Sequence, residues 1–194
     1  SQEMKRPIEI EFAANINDNR TGEFYLLQIR PMVDNKMVLD EDLDGLDDKE
    51  LIIRSDSAIG HGVMNDIYDI VYIKTKDYSA SNNPAIADEM EKINRTLLNE
   101  NREYALIGPG RWGSSDQWLG IPVKWPAISG ARVIVECGLT NYRIDPSQGT
   151  HFFQNLTSLG VAYYTINPYK GDGMFNEEYL NSLPAIEETE YIRH

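Results

Sequence analysis

Near the amino terminus, acidic, amide and guanidinium side chains alternate with apolar ones. Glu9 and Glu11 lie in Ile8-Glu9-Ile10-Glu11-Phe12, and Gln28 and Arg30 in Leu27-Gln28-Ile29-Arg30. If the two segments pair as a hairpin, alternation puts Glu9 and Glu11 on one face of their strand and Gln28 and Arg30 on one face of theirs. Hard cations take oxygen ligands, and the planar fork of arginine suits phosphate. The same pattern also describes a surface hairpin with its charges in solvent.

A second constellation is Asp145-Pro146-Ser147-Gln148-Gly149-Thr150-His151, a turn leading into a helix. Amides at a helix start favour an anion, and an imidazole there can accept a phosphoryl group. His151 is open to three readings: phosphoryl acceptor, ligand-binding histidine or helix-cap histidine. A third is Gly108-Pro109-Gly110-Arg111-Trp112-Gly113-Ser114-Ser115-Asp116, whose glycines, serines and arginine can present donors to an anion. It is no P-loop, because no Gly-Lys-Ser/Thr follows, and a structural turn held by Trp112 and Trp118 fits it equally. Arg111 is its functional candidate. His61, between Gly60 and Gly62, reads as a loop histidine, and the chain's three histidines show no zinc spacing. Gly113-Ser114-Ser115-Asp116 is not a nucleophile elbow, and Cys137 reads as buried.

The elements around these residues read as mixed α/β. Strands are expected at Ile8–Phe12, Phe24–Arg30, Leu51–Arg54, Ile67–Ile73, Tyr104–Ile107, Ala131–Glu136 and Val161–Ile166. Asn83-Pro84 predicts a helix cap, and Ile86, Met90, Ile93 and Leu97 continue at helical spacing to about Asn101. Phe152, Leu156 and Leu159 form a shorter helical stripe ended by Gly160.

With 41% hydrophobic residues over 194 positions, the chain can bury one substantial core and a small second unit. A net charge of −13, with the acidic run Asp40–Asp48, excludes a phosphate-backbone partner and marks a solvated linker. No apolar stretch of about eighteen residues and no signal-peptide block is visible, and one cysteine forms no internal disulfide. These features point to a cytoplasmic protein without a membrane or nucleic-acid partner. The abrupt ends suggest a piece of a longer chain.

Pro7–Ala13 with Leu27-Gln28-Ile29-Arg30-Pro31 resembles the closing hairpin of the nucleotide-grasping domain in the family of phosphoenolpyruvate synthase and pyruvate, phosphate dikinase. Gly149-Thr150-His151, with Leu159-Gly160-Val161-Ala162, is similar to the phosphohistidine turn of that family's mobile domain. It departs from the pattern by lacking a serine before the histidine and by carrying Phe152 and Phe153 where alanines stand. The resemblance covers 7–31 well and 51–166 loosely. It implies the end of an ATP-grasp domain over 1–34, an acidic linker over 35–50 and a swivelling β/β/α-like domain over 51–194. It further implies ATP and magnesium as cofactors of the parent chain, Glu11 and Gln28 at the metal, and Arg30 at the phosphates. His151 would be the catalytic carrier, with Gly149, Thr150 and Arg111 binding the phosphoryl group. The partners implied are a nucleotide and pyruvate or another small acceptor, with the piece alone inactive. A ligand-binding domain attached to a degenerate grasp domain is the alternative.

Overall fold

The computed structural model describes residues 8–16, 22–31, 45–60, 62–145, 147, 156 and 159–194. The chain divides into two compact units, Ser1–Val38 and Leu39–His194. Among the described residues no helix is long and apolar enough to cross a membrane.

The first unit holds an antiparallel hairpin of β1 (Ile8–Ile16) and β2 (Gly22–Pro31). Its register sets Glu9 opposite Arg30 and Glu11 opposite Gln28, after which a bulge at Leu27 shifts the pairing to Phe12 with Leu26. Alternation therefore makes the hairpin two-faced. One face carries Ile10, Phe12, Ile16, Phe24, Leu26 and Ile29; the other carries Glu11 and Gln28. The apolar residues are each at least 44% exposed, and the Phe12 and Phe24 rings lie 4.9 Å apart.

The second unit is mixed α/β with a sheet core. Its central strands β5 (Asp69–Ile73), β6 (Tyr104–Pro109), β9 (Ala131–Cys137) and β10 (Ala162–Ile166) run parallel. Antiparallel strands β12 (Ile192–Arg193) and β4 (Ser57–Ile59) close the two edges, beside β5 and β10. Short pairs join β3 (Ile53–Arg54) to β11 (Met174–Phe175) and β7 (Arg111–Trp112) to β8 (Gly120–Ile121). Alternation splits the core. Val71, Ile73, Leu106, Ile134 and Tyr163 pack with helix α1 (Asn83–Asn99), while Tyr72, Ile107, Val135, Cys137 and Ile166 pack with Leu180 of α2 (Glu177–Ser182). Strands covered on both faces are apolar almost throughout, which is why these runs are conspicuous in the sequence.

Helix α1 buries Ile86, Met90, Ile93 and Leu97, each worth about 1.5–3 kcal/mol of transfer free energy. It stops at Asn99 rather than Asn101. Asn101 adopts a left-handed φ of 54°, with its N–H on Leu98 O and that of Arg102 on Leu97 O, a Schellman closure. Asn83 is also not the expected cap. It is buried, accepting from the Tyr78 hydroxyl at 2.7 Å and donating to Gln117 O and Gly120 O, so it ties α1 to β8.

Two further expectations are revised. Only Ile53–Arg54 of the expected Leu51–Arg54 strand pairs, because the Ile52 carbonyl instead accepts from Asn176 N. The end of the expected linker is ordered: Asp48–Glu50 forms a 3-10 turn capped by Asp47, and Asp48 meets Arg54 at 2.5 Å.

Candidate functional site

Ligands of open α/β sheets collect beyond the carboxyl ends of parallel strands. Here that edge is built from Gly108–Trp112 at the end of β6 and beyond, Glu136–Tyr142 at the end of β9 and beyond, and Thr165–Asn167 at the end of β10. Gly110 turns the chain with φ +71°, and a Cβ there would meet the Tyr142 ring at 2.6 Å. Trp112 is buried, its indole N–H on Val135 O at 3.1 Å and its ring over Gly108, where a Cβ would lie 2.4 Å from the ring. A Cβ on Gly120 would sit 2.0 Å from Arg111 O, so glycine is what lets β8 lie against β7.

The glycine-rich loop keeps its backbone donors for itself. The N–H groups of Gly110, Arg111, Trp112 and Gly113 go to Cys137 O, Leu119 O, Glu136 Oε1 and Ile121 O. Its glycines thus serve close packing around Trp112, one of the two readings of the sequence; Trp118, by contrast, is 58% exposed. What the loop offers outward is the Arg111 side chain.

Glu136 is the hub that sequence reasoning missed. It is 4% exposed at the end of β9 and accepts from Trp112 N (3.0 Å), Ser147 N (2.8 Å), Ser147 Oγ (2.5 Å) and the Tyr163 hydroxyl (2.5 Å). Burial pushes its carboxyl above the ordinary range, against the opposing pull of Ser147, Tyr163 and Trp112. The only sequence signal was an acid inside the apolar run Val133-Ile134-Val135-Glu136-Cys137. Beside it, Arg111 Nε donates to Asp145 O at 2.6 Å, so Asp145 and Ser147 are each tied to this edge.

The arginines separate into two kinds. Arg54, Arg95, Arg102, Arg132 and Arg193 each meet a carboxylate. Arg111 and Arg143 meet none among the described residues. Each spends its Nε on a carbonyl, Asp145 O and Thr140 O, which leaves the terminal nitrogens of both forks available. In a chain of net charge −13, two arginines without acid partners among the described residues stand out: Arg111 opens β7 just after β6, and Arg143 lies in the segment that follows β9.

Gly149, Thr150 and His151 lie outside the described residues, as does His61. Ser147, which Glu136 anchors, stands two positions before Gly149. In the first unit Glu11 and Gln28 are direct cross-strand partners, and Arg30 is paired at the backbone with Glu9; the Arg30 side chain is outside what is described. That face offers magnesium one carboxylate and one amide oxygen, a fitting but partial donor set. No group of three or more His, Cys, Asp or Glu side chains among the described residues forms a metal site. Cys137 is a buried thiol pushed up to about 12, first by burial and then by the charge of Glu177, so it is no nucleophile.

A second buried cluster, also not foreseen, sits at the amino end of β5. Asp69 takes the Arg102 guanidinium, with Nε at 3.0 Å, and His194 Nε2 at 2.9 Å. Burial alone would raise Asp69, but Arg102 and His194 outweigh it and hold the carboxyl below its ordinary range. The cluster joins β5, the start of β6 and the β12 edge, so its role is a structural latch.

Compared with protein-family models, curated proteins and solved structures, the chain matches none.

Proposed function

We propose that the chain is a piece of an ATP- and magnesium-dependent phosphotransferase of the phosphoenolpyruvate synthase kind. In this reading the hairpin Ile8–Pro31 closes a nucleotide-grasping domain, with Glu11 and Gln28 toward the metal and Arg30 toward the phosphates. The unit Leu39–His194 acts as a swivelling phosphohistidine-like domain. An imidazole nitrogen of His151 forms the N–P bond as a P–O bond of the nucleotide breaks, and the phosphoryl group passes on to pyruvate or another small acceptor. Relay through histidine divides one difficult transfer into two easier ones.

The observation that carries the proposal is the pair of arginines without acid partners among the described residues: Arg111, which bonds to Asp145 O, and Arg143, two positions before Asp145 in the stretch of sequence that leads into Gly149-Thr150-His151. Guanidinium forks suit phosphoryl oxygens through paired, charge-assisted hydrogen bonds. Electrostatic stabilisation of that kind supplies most of the catalysis in phosphoryl transfer.

The second reading is a non-catalytic ligand-binding domain on a degenerate grasp domain. It is favoured by Phe152 and Phe153 after the histidine and by the spent backbone donors of the glycine-rich loop. Incubating the parent chain with phosphoryl-labelled ATP and magnesium separates the two. Acid-labile label on the protein supports the relay, whereas nucleotide binding with no retained label supports the binding domain.

A further inference from the structure

On the α2 face of the sheet, along β5, a pocket of about 160 Å³ opens over Ile70 and Tyr72. Its walls are mainly aliphatic, with Leu180 of α2 and then Leu183, Pro184, Ala185 and Ile186 beside Ile70, and the Tyr68 and Tyr72 rings complete the lining. Leu183, Ile186 and Tyr68 are 41%, 68% and 86% exposed. Three large side chains with apolar surface in water are thus gathered at one pocket, which is where a ligand gains most by covering them. A closed apolar cavity of about 150 Å³ takes up benzene, so the volume here corresponds to a single six-membered ring.

The charges in the lining are already answered. Asp69 holds the Arg102 guanidinium and His194 Nε2, the latter at 2.9 Å. Arg193 gives one terminal nitrogen to Glu188 at 2.7 Å and the other to Leu183 O at 2.5 Å. The Tyr72 hydroxyl donates to Asn181 Oδ1 at 2.9 Å. Backbone donors are committed as well: Leu183 N bonds to Leu180 O and Ile186 N to His194 O, while Pro184 has no N–H to offer. A charged guest would shed water here without finding an unspent counter-charge. An uncharged ring sheds little, and the Tyr68 and Tyr72 rings offer it edge and offset contacts.

We infer that this pocket binds an uncharged molecule built on one aromatic ring. The inference does not rest on the phosphoryl-transfer reading.

The test titrates the 194-residue chain with benzyl alcohol, benzylamine and benzoate, which share the ring and differ in charge, and follows the methyl resonances of Ile70, Leu180, Leu183 and Ile186. Benzyl alcohol should shift them saturably with a Kd in the millimolar range or tighter, as expected of about eight non-hydrogen atoms. The two charged probes should bind at least about 10-fold more weakly, the scale of one unanswered polar group. Ala185→Leu, which fills the pocket, should abolish binding. Should Ala185→Leu not fold, Ile186→Ala, at an exposed position, carries the test and must weaken benzyl alcohol at least about 3-fold. Leu98→Ala, on α1 across the sheet, should leave the affinity unchanged. Shifts that do not saturate, equal affinity for the three probes, binding indifferent to Ile186→Ala, or a loss in Leu98→Ala as large as in Ile186→Ala would each overturn the inference.

Discussion

A carboxylate enclosed in an apolar strand must be answered by donors, and Glu136 is answered by four from three separate segments. Deleting it strands those donors. Glu136→Ala should therefore cost about 3 kcal/mol, roughly 10 °C of melting temperature in a domain of this size. Glu136→Gln should cost less than alanine without being neutral, because each oxygen of Glu136 accepts from one backbone N–H and one hydroxyl, so the amide oxygen keeps one such pair while the NH2 serves a hydroxyl and faces one backbone N–H. The pH dependence follows from the raised carboxyl. The folded state keeps this proton to higher pH than the unfolded state does. The contribution is thus fully present below the ordinary carboxyl range and is lost as pH rises through the elevated folded value. Melting curves across pH should show a shallower decline for Glu136→Gln than for the unaltered chain; identical slopes would contradict this assignment. At this scale the sequence was legible where a residue's surroundings are local. Cys137, ending an apolar run, was readable as buried. Glu136 was not, since an acid in a strand ordinarily faces solvent and its donors, Trp112, Ser147 and Tyr163, come from distant positions.

Among the elements, the β7–β8 pair decides where Arg111 stands, and Gly120 decides whether that pair closes. Gly120→Ala forces a Cβ against Arg111 O and should destabilise the second unit by about 2–3 kcal/mol. Gly160→Ala, at φ +71° with open space around it, should cost only about 1 kcal/mol. Urea titration of the two variants checks the order, and a Gly120→Ala protein as stable as Gly160→Ala would refute the packing argument. The long elements were readable in advance: the stripe Ile86, Met90, Ile93, Leu97 and the apolar runs of β5, β6, β9 and β10 carry periodicity that survives tertiary context. The two-residue strands β7, β8, β11 and β12 were not, because two residues carry no periodicity and such strands exist only through their partners; β3 was foreseen, but two residues too long. The end of α1 was misjudged by two residues because Asn101 closes the helix through a left-handed turn, where glycine is the usual signal. Composition left the glycine-rich loop open between a donor array and a structural turn, because the acceptors that take its N–H groups, Cys137 O, Leu119 O, Ile121 O and Glu136 Oε1, lie elsewhere along the chain.

For the molecule as a whole, the two units differ in how much core they possess. The hairpin presents a face of large apolar side chains, and an isolated two-stranded hairpin is marginal in water. The six-stranded sheet is covered on both faces. A chain limited to residues 39–194 should therefore melt cooperatively within a few degrees of the full chain, while a peptide of residues 1–38 should show no cooperative transition by circular dichroism. Loss of folding in 39–194 would mean the hairpin supplies core to the second unit. Charge is also distributed at this scale: against a net −13, the two arginines that lack acid partners among the described residues, Arg111 and Arg143, follow the carboxyl ends of β6 and β9. The phosphoryl relay is tested most directly by phosphorus NMR of the parent chain after incubation with ATP and magnesium. A phosphohistidine resonance is expected that persists in His61→Ala, weakens in Arg111→Ala and disappears in His151→Ala. A resonance that survives His151→Ala, or none in a parent that binds ATP, would contradict the relay.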